Sequence, residues 1–481
     1  MKRRTRPVLL MLIYFAVPLG YFLNLSSFAE FEPRSLVLLS MNLIFFAGVI
    51  SVCRRQIVLF WPAYLIMAIL VLGYFAQLYQ VAFDPETMIP SPYAVDVSAE
   101  SIFETYKTIT YASVVVSVVM VIFLRHDEPY AVSKAISSFP KLSSSLLLIL
   151  TVALMILTFA ILSITGHGIM GAEGVRLPFK ISGITLYTRT IVIPTCLLFI
   201  VWLSDQTGRR NTMIVAIALL CLHAISDTFL RASRGALMYE FVNLTFLFAV
   251  SNRITRKRSL FLWGMVVLTV LMWPVITAYR WVRIEGASID QGLILFQKVY
   301  GDYGNAINID VLSSTVANVV SRITGGMVLL AAVSHGLALG TGSGMSLEEV
   351  WEVGPTNYFT HNVLGYPDTS FTTASPSLVG WFYLVGGDVA VIIGIGLLTS
   401  GVFVLWRWMS KLKIVSLPVA QVLFLDEILQ VFTGGALEGV FGRVVAKVIA
   451  LCLCEAAVRF MPDRRTFMLG SFSNTNCASH K

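Results

Sequence analysis

Apolar residues run through this chain in stretches of about twenty, separated by short polar and often basic breaks. A stretch that long crosses a hydrocarbon core of roughly 30 Å as a helix. The pattern predicts spans at 8–28, 35–53, 57–82, 105–124, 142–166, 183–203, 212–230, 235–251, 260–279, 376–406, 414–434 and 437–459. The expected fold is an all-α polytopic membrane protein with about 12 transmembrane helices. One long segment, 280–375, interrupts the series. Its 292–333 portion reads as helical and partly amphipathic, with Gly325-Gly326 and Gly340-Thr-Gly-Ser-Gly344 as breaks. Structureless loops of that length are uncommon, so an ordered external cap is expected. The predicted organisation is 1–279 for the first set of spans, 280–375 for the large loop, and 376–481 for the last spans and a C-terminal tail.

Composition agrees with the pattern. The chain is 57% hydrophobic and 13% charged, whereas a soluble domain carries about 25% charged residues. The formal charge of +8 is not a nucleic-acid signal, because the basic residues alternate with the spans. Lys2/Arg3/Arg4/Arg6, Arg54/Arg55, Arg125/Lys134/Lys141, Arg209/Arg210, Arg253/Arg256/Lys257/Arg258, Arg407/Lys411/Lys413 and Arg459/Arg464/Arg465 fall on one side. Basic loops mark the cytoplasmic face, which puts both termini inside. The basic start followed by an apolar run lacks a small-residue cleavage site, so the first span is read as uncleaved. The six cysteines, Cys53, Cys196, Cys221, Cys452, Cys454 and Cys477, form neither a disulfide framework nor a metal-ligand spacing.

Seven arginines sit on the opposite, exofacial side or just inside a span there: Arg176, Arg189, Arg231, Arg234, Arg280, Arg283 and Arg322. A single arginine at a span end is explained by snorkelling to the headgroups. Seven on the face where basic residues are depleted point to an anionic ligand. The span charges Arg189, Asp227, Glu240, Asp388, Asp426, Glu427, Arg443 and Lys447 lie mostly toward the same end, which suggests one polar cavity. Two R-x-x-R elements, Arg231-Ala-Ser-Arg234 and Arg280-Trp-Val-Arg283, would put paired guanidiniums on one face if helical. Guanidinium forks match phosphate oxygens. Structural pairing competes with function at two places: Asp426/Glu427 with Arg443/Lys447 across a hairpin, and Asp227 with Arg231 one turn away. His361 and, more weakly, His335 are candidate bases in the external segment. Glu30 and Glu32 form an E-x-E with no histidine partner, so no metal site is assigned and no cofactor is expected.

Three stretches carry a family resemblance: Phe229-Leu-Arg-Ala-Ser-Arg-Gly-Ala-Leu237, Ser321-Arg-Ile-Thr-Gly-Gly-Met-Val-Leu-Leu-Ala-Ala-Val333 and Ser375-Pro-Ser-Leu-Val-Gly-Trp-Phe-Tyr-Leu-Val-Gly-Gly387. In this order they resemble motifs of the bacterial O-antigen polymerases, the oligosaccharide repeat-unit polymerases related to O-antigen ligases. The resemblance implies a C-type (GT-C) glycosyltransferase architecture in the bacterial inner membrane, with an active site facing the periplasm. It implies a donor glycan on undecaprenyl diphosphate, and a chain-length regulator and a flippase as pathway partners. Arg234, Arg280, His361 and Asp227 would then be catalytic. Arg176, Arg231, Arg283, Arg322 and Tyr383 would bind substrate. A ligase of the same kind is the alternative; there a loop histidine is used, and His361-Asn362 is similar to it. A flippase needs a cavity reachable from both sides, and a small-solute transporter needs repeats and half-helices; neither pattern is read here.

Overall fold

A computed structural model describes residues 59–75, 98–124, 143–166, 181–231, 234–251, 253–284, 325–340, 344–366, 375–412, 414, 416–434, 437 and 439–460. Among the described residues the regular structure is entirely helical. Six helices are long and apolar enough to cross a membrane, so the chain is an all-α membrane protein. The expected spans 8–28 and 35–53, and most of the cap before Gly325, lie outside the described residues.

The helices are α1 (Phe60–Ala68), α2 (Ala99–Leu124), α3 (Ser143–Thr165), α4 (Ile181–Gln206), α5 (Arg210–Arg231), α6 (Arg234–Val250), α7 (Arg256–Ile284), α8 (Gly326–Leu339), α9 (Leu347–Glu352), α10 (Pro355–Tyr358), α11 (Ser377–Lys411), α12 (Leu417–Gly434) and α13 (Val440–Phe460). Wider π-helical turns follow α1 at Ile69–Phe75 and α10 at Phe359–Val363, and a third interrupts α4 at Thr188–Val192. The chain divides into two compact units. The first holds 1–132, 316–412 and 427–440; the second holds 133–315, 413–426 and 441–481.

The second unit is built around α4. Every residue from Ile193 to Ser204 is buried, and α3, α5 and α6 pack on it. Its outer face shows what surrounds it. On α3, Ile149, Ile156 and Ile164 are 63%, 66% and 83% exposed, a stripe that suits lipid and not water. Hydroxyls on these helices donate back to the carbonyl one turn earlier, as Thr151 does to Leu147 and Thr158 to Leu154. That satisfies a polar group where no water is present. Polar ties hold one end of the unit: Arg258 grips Asp205 at 2.5 Å and lies over the Phe248 ring, and Arg209 donates to Ser145 at 2.8 Å.

The first unit packs α11 against α2 and α8. The predicted break before α8 is real, since the helix starts at Gly326. A side chain at Gly325 would collide with Tyr74 and Ser377. Gly340 ends α8 at φ 66°, the left-handed cap that favours glycine. Two departures from the expected spans bear on the candidate site. The helix α7 runs on to Ile284, past the expected end at 279, so Arg280 and Arg283 lie in its last turns and not in the loop. The second departure is in α11, which is not one helix. Gly386 (φ −169°) and Gly387 (φ 62°, ψ −153°) are non-helical and divide it. A half-helix junction, not read from the sequence, is therefore present.

Candidate functional site

The second unit concentrates its charge in one band. Arg189 sits in the π-helical turn of α4 with its side chain fully buried. Its Nε lies 2.8 Å from Oδ1 of Asp227 on α5. Oδ2 of Asp227 meets Nη1 of Arg231, one turn on, at 3.2 Å. One carboxylate thus lies between a buried guanidinium and a partly exposed one. The π-helical turn has a local physical role, because widening the backbone re-aims a side chain that a regular turn would place elsewhere. Arg231 ends α5, and Arg234 is the first residue of α6.

Deeper in the band, Nζ of Lys447 on α13 pairs with Oδ2 of Asp426 on α12 at 2.7 Å and donates to the Leu423 carbonyl at 3.3 Å. The expected hairpin ion pair is therefore present for Asp426 and Lys447. Glu240 on α6 is buried within electrostatic reach of Asp426, Asp227 and Lys447. Its Oε2 has no hydrogen-bond partner among the described residues. His223, one turn before Asp227, is buried edge-on to Phe159. Counted from the helix ends at ~1.5 Å per residue, Asp227 lies about 6 Å in, Glu240 about 9 Å, Lys447 about 10 Å and Arg189 about 12 Å. The band is one to two turns thick at a single end of the bundle. The ionisable residues of this unit thus gather toward one end of its helices, as the sequence suggested.

The R-x-x-R elements resolve differently. Arg231 ends α5 and Arg234 starts α6, with residues 232–233 between them outside the described residues. Arg280 and Arg283 do fall in one continuous helix at i and i+3. Arg176, Arg322, Glu30 and Glu32 lie outside the described residues.

The remaining expected site residues belong to the first unit. His361, in the turn after α10, is half-buried, and its Nδ1 lies 2.9 Å from the carbonyl oxygen of Tyr366. A carbonyl only accepts, so Nδ1 donates this bond. His335 lies 3.2 Å from the Tyr358 hydroxyl, which donates to the Gly344 carbonyl. Burial lowers the His335 pKa below the ordinary imidazole range, against an opposing pull from Glu349. The ring is therefore neutral at neutral pH, and its contacts are those of a fold-holding network. Tyr383 is buried, with its ring 3.2 Å from where a side chain at Gly336 would begin. Ser377 accepts the Gly380 N–H at 3.3 Å, so the Pro376-Ser377-Leu-Val-Gly380 stretch also serves as a helix-starting cap.

Asp388 was read as a span charge, but its partners Lys107 and Glu104 escaped the sequence reading. Lys107 and Glu104 on α2 pair with each other, Lys107 reaches Asp388 at 3.3 Å, and Thr108 donates to Asp388 at 2.7 Å. The cluster sits where α11 resumes after Gly387. A tally of acids and bases inside the 105–124 span would have found Lys107.

No family model, curated protein or solved structure matches this chain.

Proposed function

We propose that this protein polymerises oligosaccharide repeat units carried on a polyprenyl diphosphate, at the outer face of the bacterial cytoplasmic membrane. The observation that carries the reading is Asp227 between Arg189 and Arg231, at the end of α5. Two arginines share that one carboxylate at the end of an apolar bundle, and Arg234 opens the helix that follows. That arrangement suits a lipid-anchored dianion.

An acceptor hydroxyl attacks the anomeric carbon of the donor glycan, and the lipid diphosphate departs. Charge grows on the leaving group, so preorganised guanidiniums stabilise the transition state more than the ground state. Arg231, Arg234, Arg280 and Arg283 take that role, with Arg176 as a further contact. Asp227, held by two guanidiniums, orients them and is not the base. Diphosphate is a good leaving group, and arginine supplies the countercharge that other transferases draw from a metal. Both termini are cytoplasmic in this reading.

A ligase is the second reading, favoured by His361 in the external segment (the resembling ligases use a loop histidine). Deletion of the coding sequence followed by glycan gel analysis separates the two. Single-repeat glycans on the final carrier identify a polymerase. Long chains retained on polyprenyl diphosphate identify a ligase, and an unchanged ladder rejects both.

A further inference from the structure

Two cysteines that lie 258 positions apart in the chain meet inside the second unit. The Cys454 thiol on α13 donates toward the Cys196 sulfur on α4 at 3.4 Å. Both are free and buried, and both belong to the apolar core that gathers α4, α12 and α13. The Thr151 hydroxyl of α3 is the polar group beside Cys196. Each cysteine follows a cation of the polar band by seven residues on its own helix, Cys196 after Arg189 and Cys454 after Lys447. Seven residues are two helical turns, about 10 Å at ~1.5 Å per residue. All four of these side chains are buried. The sulfur pair therefore joins the same two helices that carry Arg189 and Lys447, two turns beyond the band.

We propose that Cys196 and Cys454 are a redox-sensitive pair that hydrogen peroxide converts to a disulfide, stapling α13 to α4 next to the polar band. Sulfurs already in contact have only to close to the ~2.05 Å of a disulfide bond. Burial decides which oxidant can act. Large or charged reagents are kept out of an apolar core, whereas peroxide is small, uncharged and crosses a bilayer. Cys196 is 8% exposed and Cys454 1%, so Cys196 is the sulfur reached first. It takes one peroxide oxygen as the O–O bond breaks and a water leaves, which gives a sulfenic acid. The Cys454 sulfur then attacks the Cys196 sulfur and the S–O bond breaks. The departing hydroxide takes the Cys454 proton and leaves as a second water. The two sulfurs together lose two electrons, and one peroxide is reduced to two waters. A thiol reductant reverses the bond by exchange. The link closes a very long loop of chain, and such a constraint acts mainly on the unfolded state. Cys452, exposed on the same helix, is the internal control.

The test uses the full-length protein in lipid vesicles, reduced, freed of reductant and then exposed to hydrogen peroxide. Remaining thiols are capped with N-ethylmaleimide after denaturation, and peptides are mapped by mass without reductant. The expected result is a linked Cys196–Cys454 peptide pair, lighter by two hydrogens than its reduced parts and lost on adding dithiothreitol. Cys452 should stay outside that link. Oxidised protein should melt several degrees above reduced protein. Cys196→Ala should abolish both the link and the shift. Should Cys196→Ala fail to fold, Cys454→Ala and the reduced wild type supply the same comparison. Recovery of both sulfurs as free thiols while Cys452 is oxidised overturns the proposal. So does a link made chiefly to Cys452, and so does a Cys196–Cys454 link that leaves the melt where it was.

Discussion

Asp227 touches one arginine that is wholly buried and another that is 39% exposed, and the two should respond differently to substitution. Removing the carboxylate takes the countercharge from a guanidinium inside the bundle, and breaking a buried pair costs about 3–5 kcal/mol. Asp227→Ala should therefore lower the melting temperature in detergent and the steady-state amount in membranes. Arg231→Ala removes a partly solvated partner worth below about 1 kcal/mol. It should leave the melt almost unchanged and lower polymer formation. A strongly destabilised Arg231→Ala would place that arginine in the structure and not at the ligand. The Asp227–Arg231 pair was legible in the sequence because i, i+4 spacing on a helix is local geometry. The Arg189–Asp227 pair was not, because it joins two helices through a π-helical turn that leaves no mark in the hydropathy.

At the scale of elements, span positions were legible wherever apolar length alone decides, as for Ser144–Thr165 and Arg210–Arg231. The division of α11 was hidden for the same reason. Gly386 and Gly387 sit inside an apolar run, and glycine alone does not announce a break. Gly387 adopts φ 62°, ψ −153°, a conformation that side chains resist by about 1–3 kcal/mol. Gly387→Ala should destabilise the protein by that amount in a detergent melt, while Gly401→Ala, in open space on the same helix, should not. The α12–α13 pair offers a second check. Lys447→Met alone leaves Asp426 without its buried partner and should cost about 3–5 kcal/mol, whereas Lys447→Met with Asp426→Leu should recover much of the loss. Full additivity of the two single effects would mean the pair carries no coupling.

For the whole molecule, the argument depends on which face the charged band occupies. Hydropathy and basic loops set the expected alternation, and the band lies within about 12 Å of the helix ends assigned to the exofacial side. Those charges were legible from the sequence as a group, because ionisable residues inside apolar runs are conspicuous. What each one contacts was not, since partners come from helices far apart in the chain. Sidedness follows from single cysteines placed in a cysteine-free background. Leu437→Cys, between α12 and α13, should react in intact spheroplasts with a membrane-impermeant maleimide. Thr207→Cys, in the turn between α4 and α5, should react only after the membrane is permeabilised. The contrast is informative because the Lys447–Asp426 pair lies near the first position and the Asp205–Arg258 pair near the second. Reversed labelling would put the arginine junction in the cytoplasm, where no outer-leaflet glycan lipid reaches it. The diphosphate role proposed for Arg231 and Arg234 would then be lost.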